Sequence, residues 1–197
     1  MKKSTFVESE FTSEHFEAIG KIVVYFQKVE ESINLTLITF LGINFLEKKA
    51  KTAHALLSES SFKTKISVIL SIINEIKSFD DVSELFLFEN ASMNDELLTE
   101  IETLKQVLKK AEKCAPIRNK YIHSHWIDGG IGVPEGAVFR QKSTAKGSRT
   151  KHETEYVTVD VLDKHVEFIK STSDDLIKIS VLLMSLSQGS HKRRQRA

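Results

Sequence analysis

An arginine, an asparagine and two histidines crowd into the eight-residue stretch "RNKYIHSH": Arg118, Asn119, His123 and His125. A guanidinium offers a fork of donors that fits a phosphate. An imidazole, with an ordinary pKa of about 6.5, gives or takes a proton near neutral pH. A carboxamide can orient either. Together they are the parts needed to cleave RNA without a metal. A base takes the 2′-hydroxyl proton, the arginine stabilises charge at phosphorus, and an acid protonates the leaving oxygen. On a helix, Asn119 and His123 are four apart and share a face. Arg118 and His125, seven apart, nearly align. Arg118 and His123 diverge by about 140°, so they converge on one ligand only through the arginine's length or a distorted helix. A plainer assignment stands beside this one. Arg118 could pair with an acid on a neighbouring helix, and His123 could be a cation at a helix C-terminus, where positive charge is favoured.

Other chemistries fit less well. His123 and His125 form H-x-H, which on a helix points the rings about 200° apart. No cysteine or carboxylate pattern completes a metal set, so neither metal nor cofactor is expected. Cys114 is the single cysteine. It reads as a small buried residue, although Arg118 nearby could lower its pKa. Tyr121 and Ile122 read as core or dimer contacts. There is no glycine-rich phosphate loop and no G-x-S-x-G.

These residues need a scaffold, and the pattern around them is helical. The chain has 197 residues, 41% apolar and 28% charged, with eight glycines and two prolines. That balance suits a globular chain with a sizeable core and no disulfide. A single cysteine fits a reducing compartment. No leader-like run follows "MKKSTFVESE", and no apolar run reaches the ~20 residues of a membrane span. A cytoplasmic protein with no membrane partner is expected. A net charge of +1 gives no global attraction to nucleic acid, so any such contact must be local.

Apolar residues at helical spacing run from Ile19 to Phe40, with Ser13 as cap and Gly42 as stop. A shorter helix spans about Leu46 to Leu57, ended by "SESS", and another carries Phe62 to Ile76. The stretch from Phe79 to Asn90 is ambiguous. Asn94 is read as the cap of a long helix that continues to about His125, with Pro116 kinking or restarting it. "DGGIGVPEG" is turn chemistry. Two β-prone runs, "AVFRQKST" and "EYVTVD", flank the tip "AKGSRTKH". Asp160 is read as the cap of the last helix. The expected fold is therefore all-α: an up-and-down bundle with a short β-hairpin or flexible arm, about residues 127–159, before the last helix. One domain is expected over 1–189, with a basic disordered tail at 190–197. The arm carries Arg140, Lys142, Lys146, Arg149 and Lys151, with no acid between Gly136 and His152. They are either RNA phosphate contacts or a solvated hairpin tip.

The segment "RNKYIHSHW" resembles the R-x4-6-H motif of the HEPN superfamily, in which the arginine is commonly followed by asparagine. Arg118, Asn119 and His123 fit the form RN-x3-H, and Trp126 falls where the family has an aromatic. His125 satisfies the longer R-x6-H spacing. The resemblance is sharp over residues 115–126 and generic elsewhere. It implies an all-α HEPN-like domain that acts as a metal-independent endoribonuclease. It also implies a homodimer with both motifs facing one cleft, in a toxin–antitoxin or phage-defence setting. Arg118 would stabilise phosphate charge, Asn119 orient, and His123 act as acid and base. Members paired with nucleotidyltransferase antitoxins carry a tyrosine two residues past the histidine. Here His125 holds that place, so a cognate antitoxin of this type would find no tyrosine there to modify. The superfamily also has non-catalytic members, so the alternative is a helical module that binds a partner protein or a nucleotide. A third is a helical scaffold with structural histidines.

Overall fold

An unbroken stripe of Ala18, Ile22, Phe26, Val29, Ile33 and Leu37, all buried, is what makes Ser13–Phe40 one helix, α1. In the computed structural model Thr12 rather than Ser13 caps it: its hydroxyl accepts from the His15 amide and lies 2.8 Å from His15 Nδ1. The helix stops as expected at Gly42. There φ is +63°, and the Gly42 and Ile43 amides donate back to the Thr39 and Ile38 carbonyls. Glycine reaches that left-handed backbone without a Cβ penalty. The structure describes residues 6–7, 11–43, 48–78, 95–127, 130–131, 133–146 and 149–194.

Helices α2 (Lys48–Ser58) and α3 (Phe62–Ser78) follow. Ser61 caps α3 by accepting from the Thr64 amide at 3.1 Å. The ambiguous stretch from Phe79 to Asn90 and the Asn94 cap lie outside the described residues. Helix α4 spans Asp95–Ile122 and runs on through Pro116 rather than starting anew there. Pro116 and Glu112, whose carbonyl the proline leaves without a donor, are both exposed, so water can satisfy that carbonyl. The helix does not reach His125. The chain turns at His123 and enters strand β2 (His125–Ile127).

The arm is a hairpin. Strands β4 (Ala137–Lys146) and β5 (Arg149–Thr158) pair antiparallel from Ala137↔Thr158 to Lys146↔Arg149. Gly136, at φ +70°, turns the chain into β4, and the Ala137 amide donates to the Pro134 carbonyl at 3.1 Å. Strand β2 pairs with the other edge of β4, giving a three-stranded sheet in the order β2-β4-β5. A second pair joins β1 (Phe6–Val7) to β3 (Gly130–Ile131). The fold is thus mostly helical with a small antiparallel sheet. Helix α5 (Val159–Arg194) begins one residue before Asp160, which lies in its first turn. It also takes in residues 190–194, so most of the basic stretch expected to be disordered is helical; the last three residues lie outside the described set.

Contacts group the chain into two compact units. The first holds Met1–Phe26 and Cys114–Lys170, with the sheet and the motif. Its core includes Ile22, Cys114, Tyr121, Val138, Val157 and Leu162, all buried. The second holds Gln27–Lys113 and Ser171–Ala197. It buries Ile33, Ile66, Ile73, Leu104, Leu108 and Leu183, each such side chain worth about 1.5–3 kcal/mol. Inside it Thr36 and Ser180 join hydroxyls at 2.8 Å, so these two buried polar groups are partnered across two helices. Among the described residues no helix is long and apolar enough to cross a membrane.

Candidate active site

A helix end leaves its last carbonyls without amide partners. At the end of α4 those carbonyls collect the polar chemistry of the quoted stretch. The Asn119 carbonyl accepts from the His123 amide at 3.3 Å and, more loosely, from Lys142 Nζ at 3.4 Å. The Lys120 carbonyl accepts from Arg140 Nη1 at 3.1 Å and from the Ser124 hydroxyl. The Tyr121 carbonyl accepts from Trp126 Nε1 at 3.1 Å. Tyr121, 1% exposed, stacks on Trp126 with ring centroids 6.0 Å apart, and Phe11 meets that indole edge-on. Trp126 is therefore a helix cap and a core ring.

Arg140 corrects an expectation. It was a candidate phosphate contact on the arm, but its side chain is 1% exposed and faces inward. Besides the Lys120 carbonyl it donates to Ser124 Oγ at 2.8 Å and to Glu155 Oε2 at 3.3 Å. Glu155 Oε1 in turn pairs with Lys120 Nζ at 2.7 Å. Cations gathered at a helix C-terminus also oppose its negative dipole end. Both terminal nitrogens of Arg140 are spent on holding the hairpin to α4, and half-buried Lys142 leans on the same helix end. Lys151 is exposed and pairs with Glu153 at 2.8 Å. The side chains of Lys146 and Arg149 lie outside the described residues; their backbones pair at the tip of the hairpin.

Sequence reasoning missed His165. The Tyr121 hydroxyl lies 2.7 Å from its Nδ1. Burial, reinforced by the nearby Glu155 carboxylate and opposed by Arg140, pushes the Tyr121 phenol up to about 12. Burial and the Lys120 charge hold His165 below the usual imidazole value. A protonated phenol therefore donates to a neutral imidazole.

Of the motif residues, the structure brings Arg118 and Asn119 together. Arg118 Nη1 donates to Asn119 Oδ1 at 2.9 Å. The guanidinium carbon sits 5.5 Å from the centre of the Phe26 ring, a cation–π distance. Arg118 is only partly exposed, and its Nε is buried without a partner. Among the described residues no carboxylate pairs with it. Asn119 also receives the His123 amide on its carbonyl, which places His123 one turn on. The His123 and His125 rings are both exposed. Among the described residues neither ring makes a hydrogen bond or ion pair, with Arg118 or with any other residue. His125 does not lie on the helix at all. It stands on β2 opposite Gln141. Among the described residues no three of His, Cys, Asp and Glu gather around a point that could hold a metal ion. In comparisons with known proteins, no family model, no curated protein and no solved structure matches the chain.

Proposed function

We infer that the end of α4 is the site of a metal-independent, HEPN-type endoribonuclease, active in a toxin–antitoxin or phage-defence setting. The observation that carries this is the state of Arg118. A cation half out of water ordinarily finds a carboxylate. Among the described residues this one has only a carboxamide and a ring face, with exposed His123 one turn away. A phosphodiester would supply the missing counter-charge. Arg118 would then stabilise the charge that builds on phosphorus, with Asn119 fixing the guanidinium. His123 would move the protons. His125, one strand step on, is the second candidate for that role. The cleavage needs one proton taken and another given, and each chain offers one motif. A homodimer with two motifs around one phosphate supplies both, as in the family that the motif resembles. Of the arm's cations, Lys146, Arg149 and Lys151 remain candidates to follow the RNA strand. A cognate antitoxin, such as a nucleotidyltransferase, is the partner that this setting implies.

A second reading has its own support. Within one chain, among the described residues, no hydrogen bond joins the His123 ring to Arg118. A helical module that binds a nucleotide or a partner protein's phosphate through Arg118, without turnover, would look the same. One experiment separates the two. Purified protein incubated with total RNA should cleave it with EDTA present, leaving 2′,3′-cyclic phosphate or 3′-phosphate ends, because the nucleophile is the RNA's own 2′-hydroxyl. Intact RNA would favour the binding module. Chelator-sensitive cleavage leaving 5′-phosphates would contradict both.

A further inference from the structure

The three-stranded sheet has two very different faces. On one, Val138, Arg140 and Val157 are buried. The register places Trp126, Arg140 and Glu155 in one row across that face, with Glu153 opposite Lys142 one step on. On the other face Ile127, Phe139 and Tyr156 form a row across β2, β4 and β5. Ile127 is 43% exposed and Tyr156 47%. Phe139 lies between them, its ring 5.6 Å from that of Tyr156. The solvent face of an antiparallel sheet is normally polar, so a row of this kind across three strands, roughly 10 Å wide, marks a contact surface.

Its neighbours say what it contacts. The next row is His125, Gln141 and Thr154, and beyond it Ser143 meets His152 at 2.8 Å. Both glutamates of β5 belong to the opposite face, so among the described strand residues this one carries rings, imidazoles, an amide and hydroxyls with no carboxylate. Such a surface suits a polyanion's bases: aromatic faces stack on any base, and the polar rim reaches base edges. It is also continuous with the candidate site through His125, two residues beyond His123. A self-association surface of ordinary strength would need about 800 Å² on each copy, far more than this three-residue row offers.

We propose that the Ile127–Phe139–Tyr156 face of the sheet is a base-stacking platform that holds single-stranded RNA flanking the phosphate at Arg118. This rests on the RNA-cleaving assignment of the α4 end, so binding and cleavage are to be measured separately. The probe is a mixed-sequence 2′-O-methyl RNA strand, which cannot be cut by 2′-hydroxyl attack, in a fluorescence-anisotropy titration. A Phe139→Thr/Tyr156→Thr variant keeps β-branched residues in the strands and removes both rings. It should bind roughly tenfold more weakly than wild type. Tyr156→Phe should bind like wild type. An abasic strand of equal length should bind wild type as weakly as the full strand binds the double variant. Should the double variant lose its circular dichroism spectrum, the Tyr156→Thr and Ile127→Thr single changes, at half-exposed positions, carry the same test. Equal binding by wild type and the ring-less variants, or of full and abasic strands, overturns the platform. So does a variant that keeps RNA affinity but sediments as a smaller species, which would make the face a contact between copies. If wild type binds through these rings but leaves natural RNA whole, the cleavage assignment fails while the platform stands.

Discussion

Two arginines flank the end of α4, and they are in opposite states. Arg140 comes from the hairpin, is buried, and spends its terminal nitrogens on the Lys120 carbonyl, Ser124 and Glu155. Arg118 comes from the helix, is half-buried, and has a neutral amide and the Phe26 ring for company. Both leave Nε without a partner, so that atom does not distinguish them. The counter-charge does: Arg140 has Glu155, and Arg118 has none among the described residues. One guanidinium completes the fold, and the other is left with capacity for an anion that the described residues do not provide.

The contrast should break most visibly at Arg140. Arg140→Met removes a helix cap and leaves Glu155 and the Lys120 carbonyl short of partners, a loss of about 2–4 kcal/mol. A fall of roughly 5–15 °C in the melting temperature is expected. Adding Glu155→Gln should recover part of it, because the stranded carboxylate is then neutral. A melting temperature like wild type for Arg140→Met would remove the structural half of the contrast.

A smaller effect concerns acid. His165 is held below its usual value by burial and Lys120, so the unfolded chain binds a proton that the folded chain resists. Stability should therefore be flat above about pH 6.5 and decline as the pH falls below it. His165→Asn, which keeps an acceptor for Tyr121, should shallow that decline when melting temperatures are compared from pH 7.5 to 5. An equally steep decline in the variant would place the acid sensitivity elsewhere.

The smallest effect should be at the hairpin's outer cations. Lys151→Ala breaks only an exposed pair with Glu153 and should leave the melting temperature unchanged. If the arm follows RNA, the same change should reduce the salt slope of RNA binding by about 0.7. An unchanged slope would assign Lys151 to solvent.

The helices were legible because their apolar period survives in every one that the described residues show. Gly42 and the "SESS" break were legible as punctuation, since each has a local cause. The hairpin was legible, but its register was not used. A two-residue Gly147-Ser148 connection puts Arg140 opposite Glu155 by counting back from the tip, and a charge pair facing across strands signals a structural role. The end of α4 at Ile122 had no local signal. "KYIHSHW" carries no glycine or proline, and the stop is imposed by Arg140 and Trp126 reaching its carbonyls from the sheet. His165 was out of reach for the same reason: its partner, Tyr121, is 44 residues away. The proximity of Arg118 and Asn119 followed from adjacency. The missing carboxylate could be seen only once the neighbours were in place.

The most direct measurement takes Arg118→Ala and His123→Ala through one RNA-cleavage assay and one thermal melt. Among the described residues neither side chain has a carboxylate or backbone carbonyl that its loss would strand, so both melts should stay close to wild type. Cleavage by each should drop by about 10²–10⁴. Wild-type cleavage by both variants would contradict a catalytic end of α4. Equally, an Arg118→Ala melt as depressed as that of Arg140→Met would show that this arginine, too, is spent on holding the fold.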